Sequence, residues 1–361
     1  MSVYKDEKRN TWYCQFWYID WQGIRKHKVK RGFKTKREAV NFESSFKDTA
    51  KTNVDITFES LYKNYKEQKM STLKESTQET KINIIENHIL PYFKKRKIAE
   101  IASQDIMKWQ NEVRKLGYSD TYLKTINNQL STIFNYAVKH YGLTTNPCQI
   151  AGSMGSKKTK EKMQFWTLEE FNKFIDSVSG VGNKIAFEIL FWCGLRKGEL
   201  LALTPADILP SKEINITKTG RWKIVNGNKK FITTSPKTKK SVRKVTIPAF
   251  LYDEIKSYIS KLYKIREDDL IFPYEGNNTL NGILERGIKK SGVKKIRVHD
   301  LRHSHASLCI EMGMSIPLIS ERLGHESIET TLNTYSHLYP NKQYTISDEL
   351  NQLAMRAKKQ K

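Results

Sequence analysis

The pattern of apolar positions changes character twice along the chain. In "TWYCQFWYI" (11–19) aromatic and β-branched residues crowd a short run. "IRKHKVKRGF" (24–33) follows after a turn at Asp20 to Gly23 and carries basic side chains on both faces. The two runs predict paired strands. With a short first strand near Val3–Tyr4 they make a three-stranded sheet. "TKREAVNFESSF" supplies a helix to cover it: Thr35 and Glu38 stand in capping-box spacing, and Ala39, Phe42 and Phe46 form one apolar stripe. Trp12, Phe16 and Tyr18 are the aromatics expected to face that helix.

From residue 56 the period becomes helical. Thr57 opens a helix with Phe58, Leu61, Tyr62 and Tyr65 on one face; Ser76 and Glu79 cap a second, followed by Pro91. Ser103 starts a third that stops at Gly117, and Ser119 a fourth that carries Leu123, Ile126, Leu130, Ile133, Phe134 and Ala137 to Gly142. Four amphipathic helices with short joints predict a bundle over 56–147. "AGSMGSKKTKEKM" (151–163) then breaks all periodicity and reads as an exposed basic linker. A last domain over 164–361, opened by the Thr167/Glu170 capping pair, runs helices first, then a strand-rich patch at about 213–248, then helices. The fold class is therefore multidomain α+β: a small three-stranded sheet plus helix, a four-helix domain, and a mostly helical domain with a small antiparallel sheet.

Charge narrows the functional classes. The 361 residues hold 63 Lys and Arg against 38 Asp and Glu, a net charge of +25. Residues 1–50 carry 12 basic and 6 acidic groups, residues 51–150 carry 15 and 10, and the remainder 36 and 22. Every part is positive, which fits a long polyanion that touches each domain better than a small acidic substrate. The strand bearing Arg25, Lys28 and Lys30 is the first candidate for such contact, since a two-stranded ribbon fits the DNA major groove. Cys14, Cys148, Cys193 and Cys309 are scattered without a C-x-x-C pair, against a disulfide framework or a cysteine metal site. The most apolar run, "IAFEILFWCGL" (185–195), is too short to span a bilayer, so a soluble cytoplasmic protein is expected.

Candidate chemistry concentrates in the last domain. "HDLRHSHASL" (299–308) sets His299 and His303 four apart on one helix face, as in zinc hydrolases, but places Arg302 inside the same turn. A zinc reading recruits His299, His303 and His325 and leaves a cation in the pocket. An anion-binding reading uses Arg302 directly. Arg196 and Glu199 stand in "CGLRKGEL", Lys237 in the turn of "SPKTKKSVRKVTIP", and His325 and Tyr335 in "LGHESIETTLNTYSHLY".

As a set, "GLRKGEL", "SPKT", "HDLRH", "LGH" and "TYSHL" resemble, in order, the motifs of the tyrosine recombinase (phage integrase) family. The three-segment layout is similar to integrases of conjugative transposons and temperate phages. The resemblance implies an arm-type DNA-binding domain (1–50), a core-DNA-binding domain (56–147), the 151–163 linker and a catalytic domain with a C-terminal tail (164–361). It implies Arg196, Lys237, His299, Arg302, His325 and the nucleophile Tyr335 as catalytic residues, with Lys239 or Lys240 as neighbours of the lysine. It also implies a site-specific recombinase that joins attachment-site DNA through a 3′-phosphotyrosyl link, without metal, ATP or other cofactor. Implied partners are core and arm DNA sites, a homotetramer on DNA, an excisionase and a host DNA-bending protein.

The chemistry is coherent by itself. A phosphodiester repels nucleophiles, and its transition state gathers charge on the non-bridging oxygens, so fixed cations and donors are needed. Arg196 and Arg302 supply planar forks, His299 and His325 further hydrogen bonds, and Lys237 a proton for the leaving 5′-oxygen. His299 is also placed to accept the tyrosine proton. Ionising a phenol of pKa about 10 at neutral pH costs about 4 kcal/mol, which a base and a cationic pocket must offset. A type IB topoisomerase, a DNA-binding protein without catalysis and the zinc hydrolase are the competing readings. In the tail (341–361), Ile346, Leu350 and Leu353 lie along one side of a helix candidate that packs on its own domain or on a neighbour.

Overall fold

The computed structural model describes residues 2–7, 9–19, 25–51, 55–156, 163–236, 238–336 and Met355. The turn at 20–23, most of the basic run in the linker, Lys237 and the tail helix candidate lie outside the described residues. The chain divides into two compact units, Met1–Glu161 and Lys162–Lys361.

In the first unit, β1 (Val3–Asp6), β2 (Thr11–Ile19) and β3 (Arg25–Phe33) form an antiparallel sheet in that order. Helix α1 (Lys36–Lys51) follows, and Thr35 Oγ1 accepts the Glu38 N–H at 3.2 Å. The rings of Phe16 and Tyr18 meet Phe46 at 5.3 and 5.1 Å, as the strand alternation requires. The register shifts between Trp12 and Tyr13 because Gly32, at φ +92°, is an extra residue on β3. Both sides of this bulge then point toward α1: Lys28 and Lys30 lie 5.5 and 4.4 Å over the Phe46 and Phe42 rings, and Phe33 sits 5.4 Å from Phe42. Arg25 belongs to the other face, over the ring of Trp17, where Arg31 lies over Tyr13. The three candidate DNA contacts therefore do not share a face.

The helical part contains α2 (Phe58–Lys69), α3 (Glu75–Ile84), α4 (Leu90–Phe93), α5 (Ser103–Arg114), α6 (Asp120–Tyr141) and α7 (Pro147–Ala151). Thr57 and Ser119 cap α2 and α6 through their hydroxyls, and Gly142 ends α6 in the left-handed region. The Ser76 cap is not formed. Lys74 is the N-cap of α3 without a side-chain bond, and Ser76 lies inside the first turn. Pro91 does not end the helical path either: a π turn over Ile85–Ile89 leads into α4, with the proline in its first turn, where no N–H donor is needed. The presumed exposed linker begins later than its composition suggests. Met154 is buried in the helical core, and the Gln110 amide donates to the Gly152 carbonyl at 2.9 Å.

The second unit opens with α8 (Leu168–Ser177), where the Thr167/Glu170 box closes in both directions. It continues through α9 (Val181–Trp192), α10 (Lys197–Leu201), β4 (Ile208–Leu209), β5 (Glu213–Ile216), β6 (Thr219–Val225), β7 (Asn228–Thr234) and β8 (Arg243–Thr246). Helices α11 (Ala249–Lys261), α12 (Thr279–Ser291), α13 (Asp300–Glu311), α14 (Ile316–Leu323) and α15 (Ile328–Tyr335) complete it. Among the described residues the strands of this unit form an antiparallel sheet β4-β5-β8 and a separate hairpin β6-β7. The core is centred on α9, where Phe191 stacks on Phe171 with ring centroids 3.8 Å apart; each buried Phe is worth about 1.5–3 kcal/mol. A smaller cluster of Ala306, Cys309, Ile310, Ile319, Leu323 and Tyr335 fastens α13, α14 and α15 together. Among the described residues no helix is long and apolar enough to cross a membrane.

Candidate active site

Two glycine turns build the site. Gly194 (φ +65°) ends the chain segment after α9, and Gly324 (φ +66°) is the left-handed C-cap of α14. Neither accepts a side chain: a Cβ on Gly194 would meet His305 at 2.6 Å, and one on Gly324 would meet Arg243 at 2.8 Å. The turns present backbone carbonyls inward. Arg302 Nη1 donates to the Gly194 carbonyl at 2.8 Å and its Nη2 to that of Leu323, while Arg196 Nη2 donates to the Gly324 carbonyl at 3.3 Å. Carbonyls of these turns thus hold two guanidiniums, and among the described residues each uses two of its five donors in the bonds that fix it.

Glu199 organises the first of them. It is 3 % exposed and accepts from Arg196 Nη1 at 2.8 Å and from Arg243 Nη1 and Nη2 at 3.1 Å each. Its Oε2 also takes the Arg196 backbone N–H at 2.9 Å. Burial pushes this carboxyl up, but its bonds to Arg243 and the charges of Arg243 and Arg196 outweigh that and hold it below the usual range. Arg243, on β8, also donates Nε to the Arg322 carbonyl at 2.8 Å. No local sequence signal marks Arg243, which reaches the site from a strand 47 residues beyond Arg196. Burial, with the charges of Arg196 and Arg243, lowers the Arg302 guanidinium to about 9, so it stays a cation at neutral pH.

Arg196, Glu199, Thr219, Thr238, Gly324 and His325 line a cleft of about 500 Å³. His325 Nδ1 lies 2.8 Å from Thr331 Oγ1, which fixes the ring. A second cleft of about 390 Å³ is lined by His299 with Lys197, Lys295 and Arg297. Burial and the neighbouring Arg302 lower both His299 and His325, the latter to about 4, so both rings are neutral at pH 7. Asp300 is engaged by Arg297 through its backbone N–H, Nε and Nη2, the nearest contact being 2.8 Å. That carboxylate serves as an arginine partner and offers nothing to the zinc-hydrolase reading.

Tyr335 is 1 % exposed, packed in the cluster of α13, α14 and α15. Its hydroxyl lies 2.7 Å from Nδ1 of His303, not of His299; the His299 and His303 rings meet edge to face with centroids 5.2 Å apart. Burial pushes the phenol up to about 12, with Arg302 pulling the other way. Ionising it freely at pH 7 would cost roughly 7 kcal/mol, more than an unperturbed phenol requires. The sequence offered His303 as a zinc ligand; its spacing of four from His299 was the available signal for a place in the site. His305 is the structural histidine here: Nδ1 contacts the Phe191 carbonyl at 2.8 Å, and Nε2 accepts Arg322 Nε at 2.9 Å.

This fold is shared by the Tn1549 transposon integrase solved with circular intermediate DNA, at TM-score 0.67 and 19% identity over 82% of this chain and 100% of that one. The lambda integrase tetramer bound to a Holliday junction matches at TM-score 0.56 and 18% identity over 90% and 96%. In sequence, the phage integrase family model matches residues 162–342, an arm DNA-binding domain model 2–50, and a phage integrase N-terminal SAM-like domain model 57–114. The ICEBs1 integrase of Bacillus subtilis is 34% identical over 339 residues, covering 88% of this chain and 90% of that protein. A XerC-like tyrosine recombinase of Caldanaerobacter subterraneus is 30% identical over 283 residues, 71% and 72% of the two chains. The chain belongs to the phage integrase family and is a tyrosine-type site-specific DNA recombinase.

Proposed function

We propose that this recombinase integrates a mobile element into attachment-site DNA by cleaving each strand with Tyr335 and rejoining it to a partner duplex. The observation that carries the reading is the pair of guanidiniums, Arg196 and Arg302, drawn from distant elements onto the carbonyls of two adjoining turns. Such a pair suits the non-bridging oxygens of a phosphodiester. His325 and His299 add neutral donors, and Lys237 protonates the departing 5′-oxygen. Tyr335 Oη forms the 3′-phosphotyrosyl bond, and a 5′-hydroxyl from the partner duplex reverses the attack. Bond energy is conserved, so no nucleotide cofactor enters.

In the same reading residues 1–50 bind arm sites, 56–147 bind core sites, and 164–361 carry the chemistry and the tail, with 151–163 between them. Strand exchange on two duplexes calls for four protomers, and directionality for an excisionase and a host DNA-bending protein. The test is a core-site duplex nicked beside the cleavage point, so that the cleaved end diffuses away. Wild type traps a denaturant-stable adduct in the presence of chelator and Tyr335→Phe traps none. Equal adduct from both proteins, or dependence on a metal, overturns the assignment.

A further inference from the structure

The contact between Tyr335 and His303 has a consequence for proton transfer. His303 stands on α13 next to Arg302, whose two bonds to the Gly194 and Leu323 carbonyls fix the helix in place. Tyr335, at the end of α15, brings its oxygen to 2.7 Å from His303 Nδ1, with ring centroids 5.6 Å apart. We propose that His303, and not His299, takes the Tyr335 proton during strand cleavage. The inference rests on the reading of Tyr335 as nucleophile.

The step balances as follows. Tyr335 Oη bonds to phosphorus while the P–O5′ bond breaks, the Oη proton moves to His303 Nδ1, and the 5′-oxygen takes a proton from the general acid. On rejoining, the partner 5′-oxygen bonds to phosphorus and gives its proton back to the deprotonated general acid, phosphorus leaves Oη, and the imidazolium returns the first proton to Oη. Nδ1 must carry a lone pair beforehand. Burial, then the charge of His299, lower His303 to about 4, so the ring is neutral; the transfer requires its Nε2–H tautomer, in which Nδ1 is the acceptor. A base this weak cannot ionise a phenol raised to about 12. The phenol becomes acidic only as Oη bonds to phosphorus and its charge passes to oxygens held by Arg196 and Arg302. Proton transfer is thereby confined to the bound, reacting phosphate, and the buried tyrosine stays inert in free enzyme. The charged and titratable groups around His303 are Asp300 and Arg302 on its own helix, His299 at that helix's N-cap, Arg297 before it, His325 beyond α14 and Tyr335 on α15.

The experiment measures single-turnover adduct formation on the nicked core-site duplex from pH 5 to 9. It uses wild type, His303→Ala, His303→Gln and Tyr335→Phe. Glutamine can accept the tyrosine hydrogen bond but cannot carry the proton onward. The expected result is a loss of about 10²- to 10³-fold for both His303 variants, with DNA affinity within about twofold; because a ring lowered to about 4 is already an acceptor at pH 5, the loss should be the same across the whole range. A duplex with sulfur in place of the 5′-bridging oxygen, whose leaving group needs no acid, should relieve Lys237→Ala but leave the His303 defect. His303→Gln within about threefold of wild type, or relief of its defect by sulfur, overturns the proposal while the nucleophile reading stands. Adduct from Tyr335→Phe overturns both. Should His303→Ala lose its thermal transition, the near-isosteric His303→Gln alone decides.

Discussion

Replacing Glu199 by glutamine tests whether the site is assembled by one buried carboxylate. Oε1 accepts Arg196 Nη1 at 2.8 Å and Arg243 Nη1 at 3.1 Å; Oε2 accepts the Arg196 N–H at 2.9 Å and Arg243 Nη2 at 3.1 Å. An amide keeps one acceptor oxygen and turns an NH₂ toward the other two donors. Charge-assisted bonds contribute about 1.5–3 kcal/mol each, and two are lost outright. Arg243 is then left buried, its side chain 6 % exposed, without its counter-charge. Breaking such a pair from one side costs about 3–5 kcal/mol. For a unit near 200 residues, about 2–4 °C of Tm accompany each kcal/mol, so the transition should fall by roughly 6–20 °C. Differential scanning calorimetry of the full chain measures it, with adduct formation assayed at a temperature where both proteins are folded. The Glu199 carboxyl is depressed in the fold, so its contribution is complete above the ordinary value of 4.5 and is lost as pH falls through the lower folded value. The gap between wild type and variant should therefore close in strong acid. A Tm shift under about 2 °C at pH 7 would refute the reasoning.

Three further outcomes are expected. Gly324→Ala puts a Cβ 2.8 Å from Arg243 at φ +66°, and should cost at least about 1–2 kcal/mol and slow adduct formation; unchanged urea midpoints and rates contradict this. His305 is buried and lowered to about 3, so the unfolded chain binds its proton first and stability is lost as pH falls from 6.5 toward 3. His305 alone contributes about 1.4 kcal/mol per pH unit, and His303 and His325 act with the same sign; equal urea midpoints at pH 7 and pH 5 would count against a neutral buried histidine. On the N-terminal sheet, Arg25→Ala and Arg31→Ala should lower arm-site affinity and reduce the log–log salt slope by about 0.9 per phosphate contact. Lys30→Ala should weaken sheet–helix packing by about 0.5–1 kcal/mol instead, and the opposite ranking in fluorescence anisotropy would assign the DNA to the helix-side face.

How much of this was legible in sequence follows from the range of each interaction. Caps are local, so Thr57, Ser119 and Thr167 marked helix starts that the structure keeps. Ser76 failed because a capping box read from spacing ignores which turn the helix begins in, and here it begins at Glu75. The linker's Gly and Lys content masked Met154, whose burial is a tertiary fact. That Phe33 shares the helix side with Lys28 and Lys30 depends on the Gly32 bulge, which alternation alone does not reveal. Helix α13 is buried nearly all round, at Asp300, Leu301, Arg302, Ser304, His305 and Ala306 among others, so it shows no amphipathic stripe. Its chemistry stood out instead as an unusual cluster of His and Arg. Arg243 was silent because its role exists only once β8 passes behind Glu199.

The central claim is that Tyr335 Oη becomes covalently joined to a 3′-phosphate. Nuclease digestion of the trapped adduct, then trypsin, isolates the peptide spanning 323–342, which holds both Tyr335 and Tyr339. Tandem mass spectrometry should place the nucleotide on Tyr335, with the 5′-side strand attached through its 3′ end. A nucleotide on Tyr339 or any other residue, or attachment through a 5′-phosphate, would contradict the account.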